Sequence, residues 1–166
     1  AGTPAHGSSN TYYDYLRGLT EERAGHMAQA LEAYEKVVQQ DPQALEVYRD
    51  IAQLNMRMGH LEAALHAAEK VKDLAPQEPS SFLFLGNIQL AKGNLAKAAE
   101  AYEKALQLDP NNLRALENLG NYYAVMDPVK ALSYYQRYLD SDPNEAEIYF
   151  QMGLVYQKGG NTEKAV

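Results

Sequence analysis

Cysteine and tryptophan are absent from all 166 residues. Without cysteine there are no disulfides, no thiol nucleophiles and no thiolate-held metals. The absence leaves the compartment open, because a reducing cytosol and an export route both tolerate it. Long apolar runs are missing as well: none approaches the roughly 18 residues a membrane-spanning helix needs. Positive charge is in short supply, with 15 Lys+Arg against 22 Asp+Glu and a formal charge of −7. That balance disfavours a general binder of phosphate backbones, so nucleic acid is not an expected partner. What is present, 46% hydrophobic and 22% charged residues, suits a folded soluble unit or a short repeat array rather than a disordered tail.

Four columns of residues organise the chain. Pro42, Pro76, Pro110 and Pro143 are spaced 34, 34 and 33 apart, and Ala30, Ala64, Ala98, Ala131 and Ala165 keep nearly the same step. So do the small residues Gly18, Ala52, Gly86, Gly120 and Gly153, and the trio Gly25, Gly59 and Gly93. A repeat in one register predicts stacked copies of one supersecondary unit. Within the third copy Phe82, Leu85, Gly86 and Gln89 mark one face of a first helix. After Gly93-Asn94, the residues Leu95, Ala98, Tyr102, Ala105 and Leu106 mark a second by steps of three and four. Gly and Asn tolerate the left-handed backbone of a helix end, and Pro110 disfavours helix for Asp109. The unit is helix, tight turn, helix, short loop.

The segments YEKVVQQDP, YEKALQLDPNN and FLFLGNIQLAKGNLAKAAEAYEKALQLDP resemble tetratricopeptide repeats in unit length, in the order of small residue, Gly, Ala, aromatic and Pro, and in the DP closure. The resemblance covers residues 11–166. It implies an all-α fold, an α-solenoid of antiparallel helix pairs in a right-handed superhelix of about four and a half repeats, with first helices lining a concave groove. Units are expected at 11–44, 45–78, 79–112, 113–145 and a truncated 146–166, after a flexible tail or linker at 1–10 that lacks a signal peptide's apolar core. The start without Met is read as a junction or a processed end, and the chain as a fragment of a longer array.

Three copies depart from the pattern. The first carries Asp14 and Arg17 where others are apolar, and Glu21 where the fourth and fifth have Tyr123 and Tyr156, as an end repeat needs, with Tyr12, Tyr13 and Leu16 expected to do its burial. The fourth is one residue short at Met126-Asp127-Pro128, where Asp127 can cap the next helix and Pro128 suits its first position. It also places Tyr138 where others have Val37, Val71 and Ala105. The shorter turn is expected to shift this helix and make room for the ring. The fifth stops at Lys164-Ala165-Val166, so its first helix is expected to expose Tyr149, Met152, Val155 and Tyr156, a candidate self-association patch.

No catalytic constellation emerges. His6, His26, His60 and His66 have no metal-ligand spacing, the serines lack a nucleophile elbow, and Gly159-Gly160 is a turn rather than a phosphate loop. Adjacent acids such as Glu21 and Glu22 sit on a solvated helix. The chain is therefore expected to be no enzyme and to need no cofactor or metal. Tyr34, Tyr102 and Tyr135 fall in a packing column, as do Tyr48 and Tyr149, while Tyr12, Tyr15 and Tyr134 are candidates for access.

The expected groove is formed on successive first helices by Arg49 and Gln53, then Leu83, Asn87 and Leu90, then Arg114, Asn118 and Asn121, then Phe150 and Leu154. Asn87, Asn118 and Asn121 are expected to meet at its middle, where an Asn amide can pair with a ligand backbone in both directions. Glu46, Glu117 and Glu147 oppose Arg49 and Arg114, so simple polarity does not select the ligand. In the family's chaperone-binding members a two-carboxylate clamp uses Lys, Asn and Arg. Here Asn87 and Asn118 match its Asn places, but Leu83, Glu147 and Gln151 stand at the others. One register earlier, Arg49, Gln53, Phe84, Arg114 and Asn118 match it only in part. The expectation is a scaffold binding a peptide or protein, in the cytoplasm or in a bacterial periplasm. The alternatives are an accessory segment of a larger enzyme or of a secretion or polysaccharide-export protein, and a homo-oligomer formed through the C-terminal helix.

Overall fold

The computed structural model describes residues 9–159, and among them are nine helices and no strand. The expected tail up to residue 8, His6 within it, and the second helix of the fifth copy lie outside the described residues. Contacts divide the chain into two units, Ala1–Pro76 and Gln77–Val166. The first holds α1 (Ser9–Arg23), α2 (Met27–Gln40), α3 (Leu45–Arg57) and α4 (Leu61–Leu74). The second holds α5 (Pro79–Ala91), α6 (Leu95–Leu108), α7 (Leu113–Met126), α8 (Pro128–Ser141) and α9 (Ala146–Lys158). In unit 1 each helix packs on the next. Unit 2 does the same, and α7 also touches α9.

The turns follow from backbone chemistry. Gly25, Gly59 and Gly93 have φ of 82°, 77° and 77°, where a side chain would be strained although nothing crowds it. Asn94 stays at φ −85°, so glycine alone takes the left-handed step. At the short fourth turn Asp127 replaces the whole device. Its carboxylate accepts from the Lys130 backbone N–H at 3.0 Å, with Pro128 opening α8. The DP closures are Asx turns: Asp41, Asp109 and Asp142 each accept from the backbone N–H two residues on, at 3.0, 3.3 and 3.3 Å.

Each helix pair closes on a small residue. A methyl group at Gly86 would lie 2.5 Å from Cε1 of Tyr102, and one at Gly18 or Gly120 would meet the ring of Tyr34 or Tyr135 as closely. These three tyrosines are buried, as their column implies. The second pair solves the same contact differently, with Ala52 and Ala68 at the corresponding positions, both buried. A Cβ is present where the facing ring is missing. In unit 2 the core continues through Leu116, Leu119, Tyr138, Leu139, Ile148 and Val155.

Two expectations about burial are corrected. Tyr12 and Tyr13 are 63% and 66% exposed and Leu16 is exposed too. α1 meets α2 through the face that carries Gly18, with Tyr15 tilted against Tyr34 at a centroid distance of 6.0 Å. Tyr12 and Leu16, one turn apart, lie off that face. At the other end Val155 is buried rather than exposed, and Met152 packs on the unit 2 core. Their side of α9 is already occupied by α8 and α7. Tyr149 and Phe150 carry the exposed apolar surface of this helix instead.

Candidate protein-interaction surface

The buried tyrosine hydroxyls shape the surface above them. Tyr102 donates to Asn87 Oδ1 at 2.9 Å and Tyr135 donates to Asn121 Oδ1 at 2.7 Å. Burial pushes both hydroxyls up to about 12, helped at Tyr135 by the charges of Glu117 and Glu147. Both therefore remain neutral donors at physiological pH. In unit 1 the position corresponding to Asn87 is Leu19, which cannot accept, and Tyr34 turns to Glu22 Oε2 at 2.9 Å. Burial and then Glu22 raise the Tyr34 hydroxyl beyond the usual phenol range. Glu22 is held in turn by Arg57 at 2.6 Å.

Asn118 turns its amide nitrogen back to the Arg114 carbonyl at 2.8 Å, which leaves its Oδ1 without a partner among the described residues. Asn121 is the reverse: its Oδ1 is taken by Tyr135 and its Nδ2 is free among the described residues. The pair presents one acceptor and one donor, three residues apart on α7.

Both asparagines open onto a cleft of about 440 Å³ in unit 2. Leu90 of α5 and Leu95, Ala98, Ala99 and Tyr102 of α6 form one wall, and Tyr122, Val125 and Met126 of α7 the other. Among the residues expected to form the groove, the structure thus brings together Leu90, Asn118 and Asn121. Asn87 is committed to Tyr102 and does not line the cleft, so the three asparagines do not meet there. Leu83 and Leu154 are half-buried, and Arg114 and Phe150 are exposed, elsewhere on unit 2. Arg49, paired with Glu46 at 2.7 Å, and Gln53 belong to unit 1.

Sequence reasoning missed Leu95, Tyr122, Val125 and Met126. A signal was available. Five residues after the small residue in the first helix of each of the first four copies stand Arg23, Arg57, Ala91 and Val125, so the charge present in the first two copies is gone from the next two.

A further cluster joins α6, α7 and α8. The Lys130 ammonium lies 3.8 Å from the Tyr123 ring centroid and 3.2 Å from Glu103, with Tyr134 stacked 5.8 Å from Tyr123. Tyr123 first and then Glu103 hold the ammonium above its usual range. Among the described residues no group of His, Asp and Glu could hold a metal, no buried side-chain polar atom lacks a partner, and no helix is long and apolar enough to cross a membrane.

Sequence comparison matches the Tetratricopeptide repeat family at residues 15–79, 49–113, 83–146 and 134–166. The chain belongs to the tetratricopeptide repeat family. Its fold class is accordingly the all-α solenoid type of tetratricopeptide helix pairs. A solved structure of MamA protein is 24% identical with a TM-score of 0.84, covering 94% of this chain and 86% of that one. MamA 41-end from Desulfovibrio magneticus RS-1 is 18% identical with a TM-score of 0.83, over 95% and 90%. YrrB, described as a TPR protein with an unusual peptide-binding site, is 21% identical with a TM-score of 0.76, over 92% and 79%. At these identities the likeness is one of fold. No curated protein matches the sequence. Tetratricopeptide proteins typically mediate contacts between proteins and are generally scaffolds rather than catalysts.

Proposed function

We propose that this tetratricopeptide chain is a non-catalytic interaction module that holds an extended peptide segment of a partner against the first helices of unit 2. The observation that carries this reading is the open acceptor of Asn118 beside the open donor of Asn121, at the mouth of an apolar cleft. An extended backbone offers N–H and C=O groups that match such a pair. Leu83 and Phe150 add apolar surface on the same set of first helices, and the peptide-binding site described for YrrB supports the same use of the fold. The scaffold is already formed, which limits the entropy lost on binding.

The test is panning of random peptides against the wild-type chain, followed by titration of the enriched sequences on the Asn118→Ala, Phe150→Ala double variant. Enriched peptides that bind the variant at least about tenfold more weakly support the site, about 1.4 kcal/mol of interaction. Unchanged affinity on the variant, or no enrichment at all, would overturn it. Asn118→Ala is preferred to Asn87→Ala or Asn121→Ala because it orphans no buried hydroxyl.

A further inference from the structure

The cleft of unit 2 differs from its counterpart in unit 1 in the one property that decides what can enter. In unit 1 a pocket of about 370 Å³, lined by Leu19, Glu22, Arg23 and Arg57, overlaps the corresponding place, with Glu22 and Arg57 standing where unit 2 has Leu90 and Val125. In unit 2 the wall contains no Lys, Arg, Asp or Glu, although the chain as a whole carries −7. A charged side chain entering it would lose hydration without meeting a counter-charge. The apolar groups are also displayed rather than buried: Val125 is 79% and Met126 69% exposed, with Leu90 and Leu95 near half. A volume of about 440 Å³ falls within the range of pockets that accept a ligand group, roughly 300–1,000 Å³.

The short fourth turn contributes directly. Its one-residue deletion removes the glycine, and Val125-Met126 run straight into Asp127-Pro128 where the first two copies have Arg23-Ala24-Gly25 and Arg57-Met58-Gly59. At Val125 the apolar wall thus departs from the first two copies, which carry Arg23 and Arg57 there.

Resting on the peptide-binding reading above, we infer that the segment bound at this site inserts a bulky uncharged side chain, aliphatic or aromatic, between Leu90 and Leu95 on one side and Val125 and Met126 on the other. Asn118 and Asn121 take the backbone of that anchor residue. The partner is a peptide segment selected by its anchor, and acidic or basic termini are rejected by the same wall.

The experiment uses the peptides enriched by panning, titrated against wild type and against Leu95→Glu and Val125→Glu, both at exposed positions. A consensus bulky apolar residue, at least about tenfold weaker binding to both variants, and a similar loss when the anchor is changed to Asp are the expected results. Circular dichroism melts of both variants should match wild type. Peptides that bind Leu95→Glu and Val125→Glu as well as wild type, yet lose affinity on Asn118→Ala, Phe150→Ala, would leave the groove standing and overturn the anchor. Peptides insensitive to both sets would overturn both readings. A consensus built on charged residues would overturn the anchor. Sedimentation of the peptide-free protein completes the test: self-association of wild type that Val125→Glu abolishes would make a second copy the occupant and overturn the peptide. Should no peptide enrich, the anchor falls with the reading it rests on.

Discussion

The two units carry pockets at overlapping repeat positions and line them with different chemistry, Glu22 and Arg57 against Leu90 and Val125. Both rest on a glycine beneath a tyrosine ring, Gly18 under Tyr34 and Gly86 under Tyr102. The hydroxyl then needs an acceptor. Unit 1 has Leu19 at the near position and takes a carboxylate, Glu22, which draws in Arg57; unit 2 has Asn87 and Asn121 and needs no charge. One neutral amide at the acceptor position relieves the surface of a carboxylate and its partner cation, so the cleft above it can be apolar. Recognition chemistry at the surface is thereby coupled to how a core hydroxyl is satisfied.

The largest effect should come from breaking what the units share. Gly120→Ala drives a methyl group into the Tyr135 ring and should cost about 1–3 kcal/mol, as should Gly18→Ala against Tyr34, read by urea denaturation. Ala52→Gly has no ring to relieve and should cost the helix propensity, about 1 kcal/mol, and the burial of one methyl group, about 0.8 kcal/mol. Equal small losses at all three sites would show that the ring contact is not tight.

A smaller effect sharpens the amide side of the contrast. Asn121→Ala leaves a buried Tyr135 hydroxyl unpaired and should cost about 1–3 kcal/mol, whereas Tyr135→Phe should cost nearer 0.5–1.5 kcal/mol, because water can satisfy the exposed Asn121. The reverse order would place the hydroxyl within reach of solvent.

The smallest effect belongs to unit 1 alone. Burial, and then the charge of Glu22, hold the Asp50 carboxyl above its usual range, against the opposing bond from Tyr15. The folded state therefore binds this proton more tightly than the unfolded one. Stability falls as pH rises through the window from the usual carboxylate value to the raised one, and the deficit persists above it. Asp50→Asn should thus raise the urea midpoint at neutral pH and leave it unchanged in acid below that window. A lowered midpoint at neutral pH would mean that Asp50 is stabilised by a partner.

The left-handed glycines and the cap by Asp127 were legible because each depends on residues within one turn of one another. The buried tyrosine column was legible too, since a repeat displays one contact several times. Burial at the two ends was not. Tyr12 and Val155 look alike as apolar letters on a helix, and only the placement of α2, α7 and α8 sets one outward and the other inward.

The 34-residue register, the helix–turn–helix unit and the absence of thiol chemistry were determined by the sequence alone, because they rest on composition and on period. The tertiary structure decided which asparagine keeps a free amide. It also decided which apolar residues near the turns remain open to solvent. Both depend on what packs across from a residue, and hydrogen-bond partners and exposure are properties of pairs of helices, not of positions along one.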